Sequence, residues 1–195
     1  REVVKEMNRL GMLIDVSHAS DKTTWDVLKI SDAPIIASHS CAKAICDHPR
    51  NLSDDLIKAI AQGGGVICVN FYSVFLDQEF KLKWEKLKRQ RAEQPENQPL
   101  NFLSGAKIEN PMPPPLSKVT DHIDHIVKVG GIDSVGLGSD FDGMNPPPKG
   151  LEDVSKMPLL AESLMERGYL MEEVVKIMGG NFLRVFGHVC GMSDE

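Results

Sequence analysis

Apolar residues in this chain form two kinds of pattern, which alternate along the sequence. Short continuous runs occupy 13–16, 34–37, 66–71 and 134–139, and runs spaced three or four residues apart lie between them. The continuous runs predict strands and the spaced runs predict amphipathic helices. Strands this apolar are typical of a parallel sheet covered on both faces. The alternation therefore predicts an α/β fold built on a parallel sheet.

Capping residues and glycines indicate where the helices begin and end. Ser20 and Ser53 stand where a side-chain oxygen can cap the helix that follows, and Gly11 ends the first helical run. Further helices are predicted at 158–167, 171–178 and 181–189. The first amphipathic pattern is already under way at Arg1, so we expect further sequence upstream.

The stretch 77–117 interrupts the alternation. Residues 81–91 predict an exposed helix, whereas 94–101 and the proline-rich 111–115 predict loop. An active-site lid or oligomer contact is one interpretation, and a solvated insertion without such a role is the other. We expect residues 1–195 to form a single domain that contains this insertion.

Four strand-helix units are half of the eight that close a (β/α)8 TIM barrel. Half a barrel leaves two unpaired strand edges. We therefore expect the edges to be covered by further sequence or by a second copy, as in a homodimer.

Composition narrows the classes of partner. The net charge of -6 and the pI near 5.5 argue against nucleic acid, and no apolar run approaches the ~20 residues that span a membrane. The four cysteines show no C-x-x-C spacing, which predicts reduced thiols and favours a cytoplasmic location. Cys41 and Cys68 lie at or within apolar strand runs, so we expect them to be buried. Neither nucleic acid nor a membrane is therefore expected as a partner.

Two of the predicted strands end on serine-histidine motifs, at His18 and at His39. The carboxyl ends of neighbouring parallel strands meet at one edge, ~4.8 Å apart, and alternation places each imidazole on the face of its strand that includes Val16 or Ala37. Imidazole is a preferred zinc ligand, so one metal ion could bind both. The alternatives are hydrogen-bonded structural histidines or a serine nucleophile activated by histidine, although the chain has no G-x-S-x-G motif.

Two charged residues are predicted near this edge. Asp140 follows the fourth strand, above Gly136 and Gly138, which we expect to leave open space beneath a carboxylate able to move a proton. Arg50 lies in the loop after the His39 strand, where it could bind a substrate carboxylate in a bidentate pair. An exposed surface arginine is the alternative.

The pair His122 and Asp124 has the H-x-D spacing of barrel metal sites. The pair falls in the helix before the last strand, at the wrong end of the sheet. We expect both residues to face solvent. The same is expected of His48 and His188.

Together these motifs resemble the renal or membrane dipeptidase family of zinc peptidases, and bacterial members in particular. The matching segments are 1–11, 13–18, 33–40, 48–51, 69–72, 138–143, 150–155 and 181–186. The resemblance implies a metal-dependent (β/α)8 TIM barrel, of which this chain supplies roughly the carboxyl-terminal half.

The resemblance also implies roles for four residues. His18 and His39 match two histidines that bind one zinc of a binuclear pair, Arg50 matches the arginine that holds the dipeptide carboxylate, and Asp140 matches an aspartate that assists proton transfer. The implied reaction is hydrolysis of a dipeptide by a zinc-bridging hydroxide, with two Zn²⁺ ions in a complete active site.

The chain departs from the family in one respect. The H-x-D pair of the first barrel strand, the bridging glutamate and a further histidine are absent, so the 195-residue chain alone is expected to bind zinc weakly and to hydrolyse little or nothing. One alternative is another barrel amidohydrolase acting on a lactone, lactam or phosphoester, against which Arg50 argues. The other is an inactive half-barrel that serves as a binding or assembly module.

Overall fold

The structure is a computed structural model that describes residues 1–92 and 110–191. Three parallel strands form its sheet: β1 (Ile36–Ala37), β2 (Val66–Val69) and β3 (Val135–Leu137), in the order β1-β2-β3. The first predicted strand contributes one parallel bridge, from Asp15 to Ile36, on the outer side of β1. The four apolar runs thus lie side by side in chain order, as in part of a (β/α)8 barrel.

Helices connect and flank these strands. In the described residues they are α1 (Glu2–Arg9), α2 (Asp21–Leu28), α3 (Asp54–Gln62), α4 (Ser73–Leu76), α5 (Gln78–Ala92), α6 (Ser117–Gly130), α7 (Met157–Glu166), α8 (Met171–Val175) and α9 (Asn181–Val189), with a π-helical segment at Lys176–Gly180. The predicted caps are confirmed, because Ser20 accepts a hydrogen bond from the Thr23 N–H and Ser53 accepts one from the Leu56 N–H.

Helix α5 contains the helix predicted at 81–91. It is less exposed than expected, since Phe80 and Leu87 are buried. The loop predicted at 94–101 lies outside the described residues.

The two faces of the sheet pack against different helices. Ile67 and Val69 of β2 share the larger buried cluster with apolar residues of α3 and α6, whereas Val66 and Cys68 pack against α9. The Arg184 side chain of α9 donates hydrogen bonds to the carbonyls of Gly64 and Asp133, which precede β2 and β3. Helix α9 therefore lies toward the amino-terminal ends of the strands, and the loops after the strands gather at the opposite edge.

The cysteines are free, as predicted, and Cys41, Cys46 and Cys68 are buried. Burial raises the pKa of the Cys68 thiol to about 12. A thiol held in its protonated form behaves as a small apolar side chain. In the described residues, no helix combines the length and the apolar character that crossing a membrane requires.

The prediction that His122 faces solvent is wrong. His122 is fully buried, its Nδ1 accepts a hydrogen bond from the Ala42 N–H at 3.0 Å, and its Nε2 donates to the Leu76 carbonyl at 3.1 Å. The apolar face of α6 includes this position, because Val119, Ile123 and Ile126 are buried beside it. His122 thus connects three segments of backbone, and burial lowers the pKa of its imidazole to about 4.

The other residues expected to face solvent differ among themselves. Asp124 is half-buried and accepts hydrogen bonds from Arg167 and from the Tyr169 hydroxyl. His48 is also half-buried, with its ring centroid 4.3 Å from that of Phe75. His188 is exposed, as predicted.

Candidate metal and substrate site

The two candidate metal ligands lie in contact. Their Nε2 atoms are 2.8 Å apart and their ring centroids 4.9 Å apart. Each histidine occupies a turn just after its strand segment, so strand alternation does not set its direction. The structure therefore brings His18 and His39 together by the geometry of two adjacent turns.

Hydrogen bonds between the turns hold them in this arrangement. The Ser17 hydroxyl accepts the His39 N–H at 2.8 Å, and Asp15 accepts the N–H groups of Ser17 and Ser38 at 3.0 and 2.9 Å. Backbone groups that end a strand need partners of this kind, because the sheet no longer supplies them. The two histidine turns are thereby locked to each other.

Asp15 is a residue of this site that sequence reasoning passed over. Its carboxylate also accepts a hydrogen bond from the Ser38 hydroxyl at 2.5 Å, and the Ser38 oxygen lies 2.7 Å from Nδ1 of His39. Burial acts to raise the pKa of Asp15, but hydrogen bonds from Ser38 and Ser17 outweigh it and lower that pKa. A charged residue inside the apolar run 13–16 was the feature that could have identified it.

The chemistry of the histidine pair fits part of a zinc site. Burial, and then the Arg50 guanidinium, lower the pKa of His39, which favours the neutral imidazole that a metal requires. Two nitrogens on one tetrahedral zinc are about 3.4 Å apart, so the observed pair needs to separate by only about 0.6 Å. Across residues 1–92 and 110–191, no group of three or more His, Cys, Asp or Glu could hold a metal ion. A complete site therefore needs ligands beyond these two imidazoles.

Arg50 is fixed against the same two turns. Its Nε donates to the Ser17 carbonyl at 2.7 Å, and one terminal nitrogen lies 3.5 Å from the His39 carbonyl. The guanidinium also lies 5.6 Å from the centroid of the Phe75 ring, and the residue is half-buried. Arg50 therefore lies at the edge of the sheet that carries His18 and His39. It is not the exposed surface arginine that was the alternative interpretation.

Helix α5 supports the loop that carries Arg50. The Asp47 N–H donates to Oε1 of Gln78 at 2.9 Å, and Lys81 donates to the Asp47 carbonyl. Asn51 donates to the carbonyls of Cys46 and Phe75, both at 2.8 Å. The first part of the 77–117 stretch is thus connected to the candidate site.

Asp140 follows β3 in a left-handed backbone conformation, with φ 59°. Its Oδ2 accepts a hydrogen bond at 3.0 Å from Asn70, a fully buried side chain at the end of β2 that sequence reasoning also missed. The charge of Asp140 acts to raise the pKa of His39, and it opposes the lowering of the pKa of Arg50. The carboxylate therefore belongs to the same electrostatic environment as the histidine and the arginine.

The glycines before Asp140 do not leave open space beneath it, so that expectation is wrong. A Cβ on Gly138 would lie 1.9 Å from the Ser38 carbonyl oxygen, and a Cβ on Gly136 would lie 3.1 Å from Sγ of Cys68. Glycine permits close approach of neighbouring backbone. At Gly138 it allows the end of β3 to pass directly beside the turn that carries His39.

Comparison with known proteins gives a family match over the whole chain. The family profile described as membrane dipeptidase (peptidase family M19) matches residues 1–195. An uncharacterized dipeptidase of Schizosaccharomyces pombe is 41% identical over 187 residues, which cover 95% of this chain and 38% of the relative.

Solved structures show the same similarity. The probable dipeptidase PvdM from Pseudomonas aeruginosa superposes with a TM-score of 0.81 at 33% identity, covering 97% of this chain and 53% of the other. A metallopeptidase from Rhodobacter sphaeroides, liganded with a phosphinate mimic of the dipeptide L-Ala-D-Ala, gives 0.75 at 30% identity, with 96% and 45% covered. The chain therefore spans about half the length of these structures. The predicted fold, part of a (β/α)8 barrel, is confirmed.

Proposed function

The chain belongs to the membrane dipeptidase family, peptidase family M19, and from this membership we propose that the protein acts in zinc-dependent hydrolysis of dipeptides. The observation that carries the proposal is the attachment of Arg50 to the carbonyls of the two histidine turns. This arrangement fixes a carboxylate-binding group beside a pair of metal-binding groups. Such a combination suits a substrate with a free carboxyl group next to its scissile bond.

In the proposed site His18 and His39 would hold one zinc ion, since their Nε2 atoms face each other. When bound, the metal supplies Lewis-acid polarisation of the scissile carbonyl and lowers the pKa of a water nucleophile. Arg50 binds the substrate carboxylate with parallel N–H donors, which orients the peptide group toward the histidines. Asp140, oriented by Asn70, would accept a proton from the attacking water and deliver it to the leaving amine.

For the 195-residue chain alone we propose weak zinc binding and little turnover. Zinc sites in proteins use three or four protein ligands, and the histidine pair provides two. Calorimetric titration of the isolated chain with zinc, together with a dipeptide assay, checks this. Tight binding of two zinc ions with rapid turnover would contradict it.

The complete protein offers the direct test of the reaction class. It is stripped of metal with a chelator, reloaded with zinc, and assayed with a dipeptide, a lactone and a phosphoester at equal concentration. Zinc-dependent release of amino acids from the dipeptide is expected. Preferred turnover of the lactone or phosphoester would favour the other amidohydrolase, and inactivity on all three with zinc bound would favour a binding module.

A further inference from the structure

Asp15 lies behind His39, separated from it by a single hydroxyl group. The Ser38 oxygen is 2.5 Å from the carboxylate of Asp15 and 2.7 Å from Nδ1 of His39. The same carboxylate accepts the Ser17 and Ser38 N–H groups at 3.0 and 2.9 Å, so its position is set by backbone. A fixed anion thus faces the hydroxyl that contacts the imidazole.

The directions of these hydrogen bonds follow from the number of protons available. An ionised carboxylate can only accept, so the single proton of the Ser38 hydroxyl must point toward Asp15. The Ser38 oxygen then has only lone pairs to offer His39, and Nδ1 of His39 must carry a proton and donate it. In a neutral imidazole this leaves a lone pair on Nε2, the atom that faces His18.

We propose that Asp15 is a positioning residue, which acts through the Ser38 hydroxyl to hold His39 in the Nδ1–H tautomer with Nε2 free to bind a metal. Ligand histidines commonly donate their second N–H to a carboxylate, carbonyl or water, and loss of that partner reduces metal affinity about 10- to 100-fold. Here a serine hydroxyl relays the effect of the carboxylate. The metal-binding consequence rests on the proposed function, whereas the tautomer does not.

Four variants of the complete protein test this chain of hydrogen bonds. Asp15→Asn removes the charge but keeps an acceptor for the backbone, and Ser38→Ala removes only the relay. Ser38→Thr restores a hydroxyl, and Asp26→Asn removes a carboxylate from an exposed site on α2. Thermal melting establishes that each variant is folded.

The first measurement is long-range ¹H–¹⁵N NMR of metal-free protein near pH 8, with the His39 signals assigned by comparison with His39→Gln. The Nδ1–H tautomer is expected in the unmodified protein, in Ser38→Thr and in Asp26→Asn. A shift toward Nε2–H is expected in Asp15→Asn and in Ser38→Ala. An Nε2–H tautomer of His39 in the unmodified protein would overturn the proposal. So would an unchanged His39 tautomer in both Asp15→Asn and Ser38→Ala.

The second measurement is the dissociation constant for zinc. It is expected to rise about tenfold or more in Asp15→Asn and Ser38→Ala, and to stay unchanged in Ser38→Thr and Asp26→Asn. Unchanged zinc affinity in both Asp15→Asn and Ser38→Ala would overturn the positioning role of Asp15. An unmodified protein with the expected tautomer but no zinc binding would support the hydrogen-bond chain and overturn the proposed metal site instead.

Discussion

Acidification should destabilise the protein through His122. Its imidazole is buried and neutral, with Nδ1 accepting the Ala42 N–H, so protonation of Nδ1 breaks that bond and places a charge in the core. Burial lowers the pKa from the ordinary 6.5 to about 4. Because the folded pKa lies below the unfolded one, the stabilisation is complete above pH 6.5 and is lost as the pH falls toward 4.

The size of the effect follows from the difference between these two values. A difference of about 2.5 units corresponds to about 3 kcal/mol in the free energy of unfolding, and the slope near pH 5 is about 1 kcal/mol per pH unit. Burial also lowers the pKa values of His39 and His48, so they contribute in the same direction. The contribution of His122 is therefore isolated by comparing variants.

Urea unfolding at a series of pH values from 4.5 to 7.5 provides the assay. His122→Gln is expected to lower stability at pH 7.5 and to reduce the slope near pH 5 by about 1 kcal/mol per pH unit. His188→Gln, at an exposed histidine, serves as the matched control. If His122→Gln has the same slope as the unmodified protein, the buried neutral imidazole is refuted.

Two further predictions concern the surroundings of the site. Gly138→Ala should lower the free energy of unfolding by more than about 2 kcal/mol, because its Cβ would overlap the Ser38 carbonyl, whereas Gly187→Ala, with open space around the Cβ, should be neutral or stabilising in chemical denaturation. Gln78→Ala should raise KM for a dipeptide several-fold at nearly constant kcat, because Gln78 supports the Arg50 loop. Unchanged KM in steady-state kinetics would show that this support has no role in substrate binding.

The sequence pattern was sufficient for those parts of the fold that depend on local chemistry. Ser20 and Ser53 cap helices because a hydroxyl next to free N–H groups is a local arrangement, visible in a short stretch of sequence. The proximity of His18 and His39 also followed, since both come at the carboxyl ends of neighbouring parallel strands. Neither prediction required knowledge of distant contacts.

The remaining features depend on contacts between distant segments. His122 looks like a polar helix residue until Ala42 and Leu76 are known to be its partners. The role of Gly138 depends on the Ser38 carbonyl, one hundred positions earlier in the chain. The environment of such residues is set by how distant segments pack against each other. The periodicity of residues within one helix or strand does not predict that packing.

The central claim is that Arg50 binds the carboxylate of a dipeptide beside a metal held by His18 and His39. The most direct test compares kcat/KM for a dipeptide with kcat/KM for its carboxyl-terminal amide. A hydrogen bond to a charged group contributes about 1.5–3 kcal/mol, so the unmodified, zinc-loaded complete protein should prefer the free acid by about 10- to 150-fold. Arg50→Ala should abolish that preference, and Arg9→Ala, at an exposed arginine of α1, should retain it. Equal turnover of acid and amide by the unmodified protein, or an undiminished preference in Arg50→Ala, would contradict the claim.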